Sequence, residues 1–197
     1  MIVDKVLNVP LFNEMGAFFV GAYKIKKPQG IEEAIILYHG DIKDIKNVRI
    51  NSACYTGDLF HCDRCDCNSQ LLNAMRYILE NDGMIIYLLN QDGRGCGTVN
   101  KLKTLLLMDN EHLTTKQAFE KLGLNADIRD YSSAVSILKD LNIYDINLIT
   151  NNPEKIAYLE MEGIHVEKRI PSVSSNPKLR EYLKSKQNDF NHIMELV

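Results

Sequence analysis

Short apolar runs broken by turn formers fill the first third of the chain, and apolar positions at helical spacing fill most of the remainder. Residues 3–9, 17–25, 34–38 and 48–52 are rich in β-branched and aromatic side chains. Pro10, Gly16, Pro28-Gln29-Gly30 and His39-Gly40-Asp41 punctuate them. This pattern predicts strands in a meander or small mixed sheet. Residues 43–47 are polar and predict a turn. The period then changes: Leu71, Leu72, Met75, Ile78 and Leu79 share one helical face, with Asn68 or Ser69 as the cap and Asn81-Asp82-Gly83 as the stop. Residues 84–89 predict a buried strand. A glycine-rich loop over 91–97 leads into a helix at 99–108. Residues 114–122 predict a short helix ended by Gly123, and 130–141 a further one with Ala134, Val135, Leu138 and Leu141 on one face. Residues 146–149 form a second buried strand. Pro153 takes the N1 position of a helix that runs through Met161 and ends at Gly163, and 164–166 is a last short strand. Strand and helix alternate from 68 to 166, which predicts an α/β sheet covered by helices. No composition break divides the chain, so the expectation is one domain over 1–197, with 171–197 a polar C-terminal tail.

The totals narrow the function classes. A chain of 197 residues with 45% hydrophobic and 25% charged residues can bury a sizeable core. A net charge of −3 provides no global basic field, which argues against nucleic acid or an anionic membrane as partner. Any anionic ligand must be held by local groups. The longest apolar runs are too short to span a bilayer, and the first residues lack the basic and apolar pattern of a secretion signal. A cytoplasmic, reducing compartment is therefore expected. Five cysteines, an odd number, also argue against a closed disulfide framework.

Four of those cysteines lie in RINSACYTGDLFHCDRCDCNSQL, residues 49–71. Cys54, Cys65 and Cys67 form a C-x10-C-x-C pattern that reads as a metal site. Three thiolates around Zn2+ leave a tetrahedral position open for water and hydrolysis. Cys62 as a fourth ligand would close the site and make it structural. His61 reads as an exposed histidine and Cys96 as a small core residue. Three further segments carry candidate chemistry. In Gln91-Asp92-Gly93-Arg94-Gly95-Cys96-Gly97, glycines admit backbone amides to an anion and Arg94 offers a planar fork, although a plain strand-to-helix turn has the same composition. Thr150-Asn151-Asn152-Pro153-Glu154-Lys155 sits where open α/β sheets bind ligands, and equally reads as an ordinary helix cap. Asp127-Ile128-Arg129-Asp130 is either a surface ion pair or a carboxylate beside a phosphate-facing arginine.

The ordered set RINSACYTGD, RCDCNSQL, QDGRGCG-x-x-NK, LG-x-x-x-DIRDY, LITNNPEK and YLKSK resembles GTP cyclohydrolase II, the zinc enzyme that opens riboflavin biosynthesis. The likeness covers nearly the whole chain. It implies a three-layer α/β fold with a mixed sheet flanked by helices, and a homodimer. It implies one Zn2+ per chain on Cys54, Cys65 and Cys67, Mg2+ with the pyrophosphate, and GTP or a closely related purine nucleotide as substrate. Water would open the guanine ring at C8 and formate would leave after a second hydrolysis. Arg129 matches the nucleophile on the α-phosphorus and Asp127 its proton acceptor. Arg49, Ile50, Asn51, Ser52 and Ala53 match a GTP-contacting run. Gln70, Asp92, Gly93, Arg94, Thr114, Thr150 and Lys155 match further GTP contacts.

The sequence departs from the family pattern near the purine. Leu105 stands where the family has a tyrosine assigned to the formyl-group steps, and leucine can donate neither a hydrogen bond nor a proton. Asn51 replaces a histidine, Ala53 a glutamate, and Asp92 is shorter than the usual glutamate. These changes lead to the expectation of a divergent member that removes pyrophosphate and adds water at C8 but retains the formyl group, with Tyr55 as a substitute hydroxyl in the contrary case. The alternatives are a GTP-binding or regulatory paralogue without turnover and a structural zinc module.

Overall fold

The computed structural model describes residues 1–172 together with Gln187 and Ile193. Most of the tail at 171–197, including the YLKSK motif, lies outside the described residues. The first three strands, β1 (Ile2–Asn13), β2 (Gly16–Lys27) and β3 (Gly30–His39), form the expected antiparallel meander. They do not make a separate small sheet. β3 pairs antiparallel with β5 (Gly83–Leu88), and β5, β4 (Asn47–Ser52), β6 (Asp145–Ile149) and β7 (His165–Ile170) continue in parallel, giving one seven-stranded mixed sheet of order β1-β2-β3-β5-β4-β6-β7. Pro10 does not end β1. It pairs with Phe19, and β1 is an edge strand, where a missing N–H breaks no ladder.

Alternation along the strands sends side chains to two helical layers. Met84, Ile86 and Leu88 of β5, with Val48 and Ile50 of β4, join Ala134, Ile137, Leu138 and Leu159 in the larger core cluster. These last residues belong to α5 (Ser132–Asp140) and α6 (Pro153–Met161). Ile85 turns the other way, to Phe18, Ala74 and Ile78. Ala74 and Ile78 lie on α2 (Cys67–Asn81). The result is three layers: α2, the sheet, then α5 and α6.

Helix boundaries follow local chemistry. α2 begins at Cys67, with Asp66 as its N-cap residue, and Ser69 Oγ donates to the Asp66 carbonyl at 3.0 Å instead of capping. A single turn, α1 (Tyr55–Asp58), precedes it. α3 (Gly97–Glu111) is longer than the periodicity predicts. α4 (Thr115–Lys121) opens with a full capping box between Thr114 and Gln117. α5 starts at Ser132, two residues late, because Asp130 turns back to accept from the Ser132 amide at 2.9 Å. Asn152 caps α6 by accepting from the Glu154 amide at 2.9 Å, with Pro153 at N1.

The connections place the site. β4 leads through α2 to β5 on one side, and the chain later returns as β6 on β4's other side. The strand order therefore reverses around β4, and the carboxyl ends of β4 and β6 diverge into a crevice.

Candidate active site

That crevice is a cavity of about 570 Å³. Arg49 reaches it from the α2 face of β4. Its guanidinium is buried and held on three sides, by Asn51 Oδ1 at 3.0 Å, Gln70 Oε1 at 2.9 Å and Ser172 Oγ at 3.1 Å. Ser52 and Ala53 follow at the strand end and also line the cavity. Ile50 alone of this run does not: its side chain is in the core on the opposite face. Its carbonyl accepts from Lys155 Nζ at 2.8 Å, so Ile50 serves the site through its backbone.

Cys54, Cys65 and Cys67 converge on the same cavity, their sulfurs all within 4.8 Å of one another. All three are free thiols, and Cys54 and Cys65 Sγ are 3.7 Å apart. Cys54 caps α1 just beyond β4, Cys67 opens α2, and Cys65 stands on the other side of its N-cap residue Asp66. Gly57 leaves the room they need: a Cβ there would lie 2.9 Å from Cys65 Sγ and 3.1 Å from Cys54 Sγ. Three clustered soft donors behind such a cradle fit a thiophilic ion such as zinc. Cys62 lines the cavity but stands outside the clustered group, as does His61. The Cys54 thiol is held well below its usual range by hydrogen bonds from Cys65 and Cys67 and by the nearby Lys101 ammonium, against burial. The Cys65 thiol is pushed up to about 11, chiefly by its hydrogen bond with Cys54. Cys96 caps α3 and is not buried, its thiol directed at the Asn125 carbonyl.

The glycine-rich segment is a turn over Leu89–Gly95 in which Gly93 and Arg94 both take left-handed conformations, at φ 61° and 59°. A non-glycine residue there costs about 1 kcal/mol or more, and the turn directs Arg94 to the cavity wall. Asp92 is buried. Its Oδ1 accepts from Lys101 Nζ at 2.8 Å and its Oδ2 from Thr98 Oγ1 at 2.7 Å. Both carboxylate oxygens are thus engaged within the protein.

Arg129 also lines the cavity; Asp127, its partner, does not. Arg129 Nε donates to both Asp127 oxygens, at 2.9 and 3.1 Å, and Nη2 makes a further short bond to Oδ2. Burial raises the Asp127 pKa, but the Arg129 hydrogen bonds and charge outweigh it and hold the carboxyl below its usual range. Thr150 and Lys155 complete the wall beside β6. The Lys155 ammonium lies 5.3 Å from the centre of the Tyr131 ring. Thr114 borders the cavity while capping α4.

Leu105 faces the cavity with Met108 and Phe119, an apolar wall. Tyr55 does not line the cavity; its hydroxyl donates to the Leu89 carbonyl at 2.7 Å. Sequence reading missed four groups. Lys101 sits within the QDGRGCG-x-x-NK motif but looks like a solvated helix lysine until α3 is folded against Cys54. Asp58 accepts from the Cys54 amide at 3.0 Å, within RINSACYTGD, and from the Tyr87 hydroxyl at 2.6 Å, on a strand outside every quoted motif. Gln91 lines the cavity with its Oε1 buried and lacking a hydrogen-bond partner among the described residues, as is Ser52 Oγ. Ser52 belongs to the predicted GTP-contacting run, and Gln91 opens the glycine-rich candidate segment but carries no role of its own there. Ser172, which holds Arg49, lies in the segment read as tail.

The family described as GTP cyclohydrolase II matches residues 4–171. This chain belongs to that family. Among curated relatives it is similar to the riboflavin biosynthesis protein RibBA of Staphylococcus saprophyticus, 40% identical over 98% of this chain and 48% of that protein. RibBA of Staphylococcus aureus is 42% identical with the same coverage. The chain therefore spans about half the length of the curated relatives it matches. Among solved structures, RibBX from A. baumannii, a two domain 3,4-dihydroxy-2-butanone 4-phosphate synthase, aligns over 89% of this chain and 40% of that one, with a TM-score of 0.41 and 14% identity. That likeness is too weak to bear on fold or site. GTP cyclohydrolase II membership supports a hydrolase of this type.

Proposed function

We propose that this chain hydrolyses the imidazole ring of GTP at C8 and releases pyrophosphate, as a cytoplasmic zinc enzyme that keeps the formyl group on its product. The observation that carries the reading is the meeting, in one cavity, of the Cys54–Cys65–Cys67 cluster with cations suited to a triphosphate. Arg49, Arg94, Arg129 and Lys155 line it, against Asp63 and Asp92 as the acids among the described residues, in a chain whose net charge is −3. The concentration of positive charge is local, as an anionic substrate requires.

Zinc held by the three cysteines would supply a Lewis acid and activate water for hydrolysis. The remaining work falls to the chain itself. Arg94 and Lys155 hold phosphate oxygens, and Arg49, fixed by Asn51 and Gln70, positions the nucleoside. A guanidino nitrogen of Arg129 bonds to the α-phosphorus, the bridging oxygen leaves with pyrophosphate, and Asp127 takes the nitrogen's proton. Guanidinium is otherwise always protonated, so this step needs the direct carboxylate contact that Asp127 makes. Mg2+ would accompany the pyrophosphate oxygens.

Leu105 underlies retention of the formyl group. It supplies no proton where the family pattern has a tyrosine, and Tyr55, bound to the Leu89 carbonyl, does not replace it. The paired Asp127 and Arg129 favour turnover over a GTP-binding paralogue, since binding alone has no use for a proton acceptor behind the guanidinium. Purified protein incubated with GTP, Zn2+ and Mg2+ should release pyrophosphate with little formate, and mass spectrometry should find a formamidopyrimidine ribotide. One formate per pyrophosphate would refute retention, and intact GTP would refute the activity. Tyr55→Phe should leave the product unchanged.

A further inference from the structure

Lys101 is the cation in this cavity that meets sulfur. Its Nζ lies 3.1 Å from Cys54 Sγ and 2.8 Å from Asp92 Oδ1. The two side chains are 15% and 3% exposed. Asp92 is itself fixed by Thr98, and Thr104, buried on the next turn of α3, donates to the Lys101 carbonyl at 2.7 Å. A lysine required only for solubility would not be threaded between a buried carboxylate and a thiol.

We infer that Lys101 is a positioning residue for the thiolate centre, aimed by Asp92, which donates a hydrogen bond to Cys54 Sγ and offsets the negative charge of the cluster. The inference rests on the metal reading proposed above. Three thiolates around a divalent ion leave one net negative charge. An ammonium against one sulfur neutralises it and draws electron density from that sulfur, which leaves the ion a stronger Lewis acid. Asp92 then acts through Lys101. Both its oxygens are engaged within the protein, so its carboxylate directs the lysine instead of contacting GTP.

Cobalt(II) titration reads this directly, because a sulfur-to-cobalt charge-transfer band reports how electron-rich the thiolates are. In K101Q the band should move to longer wavelength, and in K101R, which keeps the charge and a donor, it should stay near the wild-type position. Removing Lys101 alone strands a buried carboxylate, so the double variant K101Q/D92N, neutral at both positions, guards against misfolding and should show the same shift. With GTP, kcat for pyrophosphate release in K101Q should fall about 10- to 100-fold, the usual range for such outer partners, while KM stays within about twofold. If wild-type protein shows no sulfur-to-cobalt band, the metal reading falls and this inference with it. If the band appears but is unmoved in K101Q and the double variant, the metal reading stands and the role of Lys101 is wrong. A rise in KM alone would make Lys101 a phosphate contact and overturn the proposal.

Discussion

At the scale of single residues, the site depends on what two side chains leave out. Leu105 leaves out a hydroxyl. It borders the cavity, so a larger ring at this position extends into open space and does not overpack the core. Leu105→Tyr should therefore fold and should begin to release formate, measured as formate per pyrophosphate against the unmodified chain. No gain of formate would move the cause of retention to Ala53 or Asn51. Gly57 leaves out a Cβ. Any side chain there meets two of the three sulfurs, and α1 is too short to shift aside without displacing Cys54. Gly57→Ala should lower the metal bound per chain, measured by elemental analysis, and cost about 1–3 kcal/mol of stability as an overpacked site does.

At the scale of elements, most of the fold was legible because apolar period and turn chemistry agree. α6 matches its predicted span from Pro153 to Met161, since Asn152 and Pro153 mark its start. β7 ran longer than predicted because its exposed positions, such as Glu167 and Lys168, look like loop in sequence. The insertion of β5 between β3 and β4 was not legible, because strand order depends on contacts between distant segments. The cysteines and Arg129 could be found from motif spacing. The roles of Lys101 and Asp58 could not, since Lys101 meets Cys54 and Asp58 meets Tyr87 only once distant segments are brought together. Thr114 shows an element's need and a site's need in one residue. It caps α4 and borders the cavity, so Thr114→Ala should cost about 1 kcal/mol in chemical denaturation, and Thr114→Ser should restore most of it. If both lose GTP affinity equally while only the first loses stability, the threonine methyl contributes to binding.

Asp130 gives the same scale a pH dependence. Its carboxylate joins β2 to α5 by accepting from Lys27 Nζ at 2.8 Å and from Ser132. Burial acts to raise its pKa, but Lys27 and Ser132 prevail and bring it to about 2. A carboxyl depressed by folding stabilises the protein above its unfolded value, near 4, and that contribution is lost as pH falls towards 2. The group is nearly half exposed, so solvent screening reduces the effect to about 1 kcal/mol. Stability measured by denaturation between pH 5 and 2, on the order of the range where such a group titrates, should fall less steeply in Asp130→Asn than in the unmodified chain.

At the scale of the whole molecule, the thiol cluster bridges two layers, the sheet and α2, at the end of α2 far from its junction with β5. Cys54 lies just beyond β4, the strand at the centre of the reversal, while Cys65 precedes α2 and Cys67 opens it, on the face opposite α5 and α6. An ion bound by all three would pin the helix to the sheet at the cavity mouth and stabilise the folded state through its own binding free energy. The β1–β2–β3 meander is remote from this clasp, with its own antiparallel ladders and its share of the large core cluster. Removing metal with a chelator should therefore loosen the protein unevenly. Hydrogen exchange should accelerate in residues 53–70 and at the first turns of α2, while amides of β2 and β3 keep their protection, because local opening follows local contacts. Uniform loss of protection would show that the ion supports the whole fold. No change anywhere would show that the thiols hold no ion that matters to structure. Arg64 gives an internal control: its paired bonds to Asp109 of α3, at 2.9 and 2.7 Å, tie the intervening loop down without metal. Arg64→Ala should widen the zone of fast exchange towards α3 only in the chelated protein, where that tie still holds the stretch before Cys65 to α3.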